Sequence, residues 1–246
     1  MKRWFLAAFF ALFGTGCTAP DRVVEEHLTE KYGEAFAVQS SNFIPGTGAY
    51  HLQVSPEANP ALTFLVEYSR NTGVVNDFYP QARWHREAHE AFTELVSDAS
   101  RDIPHALHTR LIVAHTPDPR NIPTFEELRA DHTGELNLHF HLYLFAEPSA
   151  EALAGLLALD RELRGAGLSD LGFIVHFYDP ASLDGRSPAE LSLGFAVRDD
   201  ESFETVHGDA LLGVIRYRAA YGADSPTPEA ALSLLKPRES MEFPRL

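Results

Sequence analysis

The sequence is poor in cysteine and in positive charge. Cys17 is the only cysteine among 246 residues, and 20 basic residues face 35 acidic ones, for a net charge of −15. A single cysteine excludes an intramolecular disulfide, a multi-cysteine zinc site and a thiol redox pair. Phosphate binding requires a basic surface, so we expect no nucleic acid partner. Without disulfides, the fold must depend on packing, which a chain of this length permits.

The sequence also lacks the short motifs that mark common enzyme and cofactor sites. It contains no G-x-S-x-G elbow, no phosphate-binding loop and no dinucleotide fingerprint. His85 and His89 have the spacing of a zinc-protease helix, but Arg86 occupies the position of the glutamate that activates water. These absences favour a non-enzymatic role, and we assign no catalytic and no cofactor-binding residue. Catalysis by carboxylates that meet only in the folded chain stays open.

The N-terminus combines positive charge with a short apolar run. Lys2 and Arg3 precede the uninterrupted apolar stretch 4–13, and Gly14-Thr15-Gly16-Cys17 follows. A bilayer-spanning helix needs about 20 apolar residues, so this run is too short to span and is typical of a secretory signal. The segment 13–17 resembles the lipobox of bacterial lipoproteins.

This resemblance implies that residues 1–16 are removed and that Cys17 becomes a fatty-acylated mature N-terminus. The protein would then be attached to a membrane through the lipid on Cys17, in the cell envelope, facing the periplasm or the exterior. The sequence departs from the family at Gly14, where lipoproteins usually carry an aliphatic residue. The alternative is cleavage after Ala19 by the ordinary signal peptidase, without a lipid.

The mature chain predicts an α+β fold, with helices on one face of a mostly antiparallel sheet. Residues 17–100 predict an N-terminal αβββ(β)α unit, in which a stripe of Trp84, Ala88, Phe92 and Leu95 faces the core. Its predicted elements are a helix over 21–32, strands over 36–43, 49–55, 62–68 and 74–79, and a helix over 81–97.

Residues 101–222 predict a C-terminal α+β unit, and 223–246 a proline-rich tail. The predicted elements are a strand over 109–115, a short helix capped by Thr124, strands over 136–145, 171–178 and 191–197, a helix over 149–164 between the first two of these, a final helix over 209–222, and a short helix that begins at Thr227-Pro228. The strand–helix–strand segment predicts a parallel crossover. Whether the two halves form one domain or two stays open.

The candidate chemistry lies on the strand over 136–145. Its alternation predicts an apolar face around Phe140 and a second face with His139 and His141. Two histidines at this spacing can reach one metal ion, and imidazole suits zinc and other divalent transition metals. His176, on the strand over 171–178, is a candidate third ligand. The competing interpretation, which we favour, is the outer face of a one-sided sheet with no cofactor.

Together these observations predict an exported, lipid-anchored protein with a non-enzymatic binding or envelope-associated role. The alternative is a metal-binding protein or metalloenzyme that uses His139 and His141, with His176 as a further ligand.

Overall fold

The computed structural model describes residues 20–73, 75–100, 103–114, 117–168, 170–188, 210–218 and 225–240. The chain forms two compact units: Met1–Arg83 with Pro117–Ile122 is unit 1, and Trp84–Thr116 with Pro123–Leu246 is unit 2. No helix in these described ranges is both long enough and apolar enough to cross a membrane.

The division between the units differs from the predicted boundary after residue 100. The structure divides the chain inside one long helix, between Arg83 and Trp84, and assigns 117–122 to unit 1. The sequence pattern of this helix is continuous and does not show the residue at which its packing partners change. The pattern therefore predicts the boundary at the end of the helix. The lipobox and the strand predicted over 191–197 lie outside the described residues.

Unit 1 is a helix followed by a four-stranded antiparallel meander in the order β1-β2-β3-β4. Its elements are α1 (Pro20–Tyr32), β1 (Phe36–Ile44), β2 (Ala49–Pro56), β3 (Phe64–Ser69) and β4 (Val75–Asp77). They agree with the predicted elements to within a few residues, because period-two alternation and glycine-containing turns mark these strands clearly.

One face of the unit 1 sheet packs against α1. Val24 and Leu28 of the helix are fully buried, in the same core as Phe36, Phe64 and Tyr79. Phe64 lies on this covered face and is 3% exposed. β1 lies at the edge of the sheet, and its residues 39–43 are exposed.

Unit 2 contains a five-stranded sheet in the order β5-β6-β7-β8-β9. Its elements are α2 (Tyr79–Ser100, in unit 2 from Trp84), β5 (His105–Val113), α3 (Phe125–Asp131), β6 (Leu136–Leu144), α4 (Ala150–Gly165), β7 (Asp170–Tyr178), β8 (Leu211–Arg218), α5 (Pro228–Leu232) and β9 (Lys236–Pro237). β6 and β7 are parallel, as the crossover prediction required, and the other pairs are antiparallel. The α+β class is thereby confirmed.

The helices of unit 2 cover one face of its sheet. Phe92 of α2 packs edge-to-face on Phe140 of β6, with ring centroids 5.0 Å apart, and Phe140 is 0% exposed. α4 lies against the end of α2, where a Cβ built on Gly155 would be 1.8 Å from the carbonyl oxygen of Ala99. Only glycine permits the two helices to approach this closely.

The prediction of a final helix over 209–222 is wrong, because Leu211–Arg218 is strand β8 and pairs with β7. Val214 and Ile215 point to opposite faces of the sheet and are both buried, so the apolar residues have no single period. A strand buried on both faces can also satisfy a helical spacing by chance. A Cβ on Gly213 would lie 2.8 Å from a methyl carbon of Leu235, so this glycine allows the following segment to approach β8.

The described part of the predicted tail, residues 225–240, contains regular structure. α5 begins after Thr227, whose hydroxyl accepts a hydrogen bond from the backbone N–H of Ala230 as predicted, and β9 pairs with β8. A smaller correction concerns α2, where Val96 is buried and Leu95 is 38% exposed. The capping box that Thr124 forms with Glu127 at α3 is confirmed.

Candidate functional site

The predicted histidine face lies on β6 and its two neighbouring strands. The parallel register places Tyr143 opposite His176 and His141 opposite Ile174. β6 and β7, whose adjacency does not follow from the sequence, are therefore direct neighbours. His139, His141 and His176 all lie on the sheet face opposite Phe140, because alternate residues of each strand point to the same side.

The structure brings together two of the three predicted histidines. The rings of His141 and His176 are 6.3 Å apart and nearly parallel, at 19°. His139 instead covers Gly172. A Cβ added to Gly172 would lie 3.0 Å from Nδ1 of His139. His141 and His176 are 5% and 4% exposed, so the interpretation of this face as the outer side of a one-sided sheet is wrong.

Two further histidines extend the cluster and were missed in the sequence. His108 of β5 lies opposite His141, with ring centroids 5.9 Å apart, and His85 of α2 lies 5.8 Å from His108. We call His85, His108, His141 and His176 the histidine row. The strand predicted over 109–115 begins earlier in the structure, at His105, and this shift hid His108 from the pattern.

Buried hydrophobic residues of the sheet itself surround the far end of the histidine face. The buried members of this cluster include Tyr143, Tyr178, Leu211 and Val214, and Leu183 packs against them. The ring of Tyr143 stacks on that of His176 at 4.8 Å and 21°. The imidazole of His176 is therefore part of an aromatic core as much as a polar group.

Burial decides the charge state of His176. Desolvation by burial, the largest cause, and the neighbouring His141 and Arg216 together lower its pKa to about 3. His89 on α2 shows a pKa lowered chiefly by burial, with His85 as a second cause. At neutral pH, His176 is uncharged, the form in which an imidazole can either pack against aromatic rings or donate a lone pair to a metal.

The arrangement of donor side chains in the described residues bears on metal binding. Within those residues, no group of three or more His, Cys, Asp or Glu side chains has an arrangement that could hold one. The histidine row extends across β5, β6 and β7, with rings about one strand spacing apart, so its members do not converge on one point. A structural zinc site needs four converging ligands.

Unit 1 carries a separate open pocket at one end of its sheet, with a volume of about 340 Å³. Its lining includes His51 and Glu67, which face each other across β2 and β3 with Nε2 and Oε1 3.5 Å apart. Ser69 and Asn76 add a hydroxyl and an amide. No sequence pattern indicates this pocket, because its residues come together only through the cross-strand register.

Comparisons with known proteins bear on the fold. No protein-family model matches the chain, and no curated protein sequence matches it. Among solved structures, the chain resembles the crystal structure, at 2.55 Å, of a DUF5037 family protein from Ruminococcus gnavus. The two are 18% identical, the match covers 87% of this chain and 98% of the other, and the TM-score is 0.51. At this identity the likeness concerns the fold alone.

Proposed function

We propose that this chain is an exported, lipid-anchored protein of the cell envelope with a non-enzymatic binding role. One observation carries the proposal: Lys2 and Arg3, the apolar stretch 4–13 and the sequence Gly14-Thr15-Gly16-Cys17 stand in the order of a lipoprotein signal. The start of the fold is consistent with processing at Cys17, because the first described helix begins at Pro20. Cleavage there would leave the helix intact.

The anchor is tested by replacing the only thiol. The full-length protein, expressed in a bacterial host, should incorporate labelled palmitate and partition into the detergent phase. Cys17→Ser should abolish both, because no other cysteine is present and each buried methylene of an acyl chain contributes roughly 0.8 kcal/mol of membrane affinity.

The matched control is Gly14→Leu, which restores the aliphatic residue usual in lipoboxes and should leave labelling unchanged or increase it. Mass spectrometry should find a diacylated or triacylated Cys17 at the mature N-terminus. A mature chain that begins after Ala19 and carries no lipid would contradict the anchor.

The binding role is supported by the pocket of unit 1, whose volume of about 340 Å³ falls in the range of small-molecule sites. Monosaccharides and free amino acids are suitable first probes, because both can form hydrogen bonds with the Glu67 carboxylate and the Asn76 amide. A bound probe should raise the melting temperature of the wild type but not of Ser69→Trp, which fills the pocket. If no probe discriminates between the two proteins, the pocket is not a site for these classes.

Metal binding is the second candidate, favoured by the proximity of His108, His141 and His176. This candidate predicts near-stoichiometric zinc, copper or nickel in the desalted protein, lost in His141→Ala and reduced in His139→Ala. Binding should weaken below about pH 6, where imidazole takes up protons. His27→Ala, which removes an exposed histidine of unit 1, should retain the metal. Metal content near zero, with no thermal shift on adding zinc, would reject this candidate.

A further inference from the structure

A row of polar side chains crosses the sheet of unit 1 on the face opposite α1. The strand register places Asn42 of β1 opposite His51, His51 opposite Glu67, and Glu67 opposite Asn76 of β4. Residues that alternate with them, such as Leu52, are fully buried in the core that contains α1, and alternate residues of a strand point to opposite faces. The four polar residues therefore share the open face of the sheet, and we call them the polar row.

Glu67 carries the only formal charge among the nine described residues that line the unit 1 pocket, with the histidine counted as neutral. The strands β1 and β2 add no charge, because residues 35–56 contain no Asp, Glu, Lys or Arg. Arg70 follows β3, but its guanidinium lies over the ring of Tyr50, which packs against the core on the α1 side. The pocket therefore presents one carboxylate, and no permanent cation among its described lining residues neutralises it.

The carboxylate of Glu67 is accessible and weakly held. Its Oε1 atom lies 3.5 Å from Nε2 of His51, and both side chains are 41% exposed. Ion pairs with this exposure contribute little to stability, because solvent screens them. A ligand that offers Glu67 a closer cationic donor can therefore replace the contact with His51 at little cost.

Two turns close one end of the pocket and hold each other in place. Thr47 belongs to the β1–β2 turn and Thr72 to the β3–β4 turn. The N–H of Arg70 donates to the carbonyl oxygen of Gly48, and a Cβ added to Gly48 would lie 2.6 Å from Nδ2 of Asn71. Gly48 has a φ of +68°, which glycine adopts without strain. The rim of the pocket is thus formed before a ligand binds, as in most small-molecule sites.

We propose that the unit 1 pocket binds a small polyhydroxylated amine whose ammonium group pairs with the carboxylate of Glu67. The inference rests on the binding role of the proposed function and specifies the class of its ligand. An ammonium group gives Glu67 a charge-assisted hydrogen bond, roughly twice as strong as the bond from a neutral hydroxyl. Ser69 and Asn76, which also line the pocket, then hydrogen-bond the hydroxyl groups. Anionic ligands are disfavoured, because Glu67 repels them and the described lining offers no cation.

Two probes that differ only in charge test the proposal. 1-Amino-1-deoxysorbitol and sorbitol have the same carbon chain, with an ammonium group or a hydroxyl at one end, and an alkylamine is protonated at neutral pH. Each is titrated calorimetrically into the protein purified from the bacterial host. We expect the amine to bind at least about tenfold more tightly than sorbitol. This preference should decrease as the salt concentration rises, because ions screen the exposed carboxylate.

Three variants assign the preference to Glu67. Glu67→Gln keeps the shape of the side chain without its charge, so the amine and sorbitol should bind with about equal affinity. His51→Lys places a permanent ammonium group beside Glu67 and should remove the preference in the same way, because the carboxylate is then already paired. The matched control is Glu57→Gln, which makes the same change of net charge at an exposed position just after the other end of β2. It should keep the full preference.

The outcomes separate this inference from the proposed function. Equal binding of both probes by the wild type, abolished in Ser69→Trp, would overturn the amine preference and leave the pocket as a binding site. A preference for the amine that persists in Glu67→Gln would also overturn the inference, because the ammonium group would then pair elsewhere. Binding of neither probe would reject this ligand class. Absence of acylation at Cys17, together with a preference that depends on Glu67, would contradict the anchor and support the amine site.

Discussion

The sheets of the two units follow the same period-two alternation, but they differ in how many faces they bury. In unit 1 every strand pair is antiparallel, α1 covers one face, and the other face keeps polar groups such as His51, whose side chain is 41% exposed. In unit 2 both faces are buried, since Phe140 on one side is 0% exposed and His141 on the other is 5% exposed.

The difference follows from the parallel pair β6–β7. Parallel neighbours require a crossover, which α4 provides on the Phe140 side, and parallel strands are usually buried on both faces. On the histidine side, Leu183 packs against a second buried cluster that includes Leu211 and Val214 of β8. Histidines and tyrosines on one face of a strand therefore do not indicate solvent exposure when that strand has a parallel neighbour.

The largest expected effects come from the two phenylalanines on the helix-covered faces. Phe64→Ala in unit 1 and Phe140→Ala in unit 2 should each lower the free energy of unfolding by roughly 3–5 kcal/mol. Both rings are nearly fully buried, and Phe140 also contacts the ring of Phe173 at 5.0 Å. Urea denaturation followed by circular dichroism measures both variants.

Phe43→Ala is the matched control, because the same truncation removes a ring that is already 53% exposed. It should cost less than about 1 kcal/mol, mostly from the lost contact with Tyr50. If Phe64→Ala or Phe140→Ala unfolds like the wild type, the corresponding helix-covered face is not the core of its unit.

Acid should destabilise unit 2 through His176. The folded state keeps this imidazole neutral, with a pKa of about 3, whereas the unfolded chain takes up a proton near the ordinary value of 6.5. Stability is therefore complete above about pH 6.5 and falls as the pH decreases, by roughly 3 kcal/mol between pH 6.5 and 4 at about 1.36 kcal/mol per pH unit. The lowered pKa of His89 acts in the same direction.

His176→Phe keeps a ring against Tyr143 and removes the proton uptake, so its stability should fall less steeply over the same pH range. The control His27→Gln removes an exposed histidine of α1 and should retain the steep acid dependence of the wild type. A variant series in which His176→Phe and the wild type have the same pH slope would show that His176 is not the group that acid protonates.

A smaller effect tests whether the segment after residue 223 belongs to unit 2. The hydroxyl of Ser225 donates to Oδ2 of Asp160, a fully buried carboxylate that also binds Nε of Arg164 at 2.9 and 3.0 Å. Ser225→Ala should cost roughly 1.5–3 kcal/mol, the usual value for a hydrogen bond to a charged group.

Ser233→Ala is the control in the same segment, because this serine is exposed and its hydroxyl donates only to a carbonyl within α5 and its cap. Thermal unfolding should separate the two variants. Equal melting temperatures would show that the segment does not stabilise unit 2 through Asp160.

Local patterns predicted most of the elements and, of the cluster around His176, only the proximity of His141. The strands of unit 1 and the caps at Thr124 and Thr227 depend on residues close in sequence, so propensity and turn chemistry suffice. The sequence pattern of β8 predicts a helix, because the strand is buried on both faces and its apolar residues have no single period. The other neighbour of His141, His108, depends on strand order and register, which a single sequence does not contain.

The smallest expected effect completes the comparison between the two sheets. His51 of unit 1 and His176 of unit 2 both lie on the face opposite the helices, and each faces another polar or aromatic side chain across the sheet. His51 makes a 3.5 Å contact with Glu67 in which both side chains are 41% exposed. Exposed ion pairs contribute little, so His51→Gln should change the free energy of unfolding by less than about 0.5 kcal/mol. Urea denaturation at pH 5 and pH 8 should give the same small difference, whereas a loss above about 1 kcal/mol would mean that the second face of unit 1 is also covered.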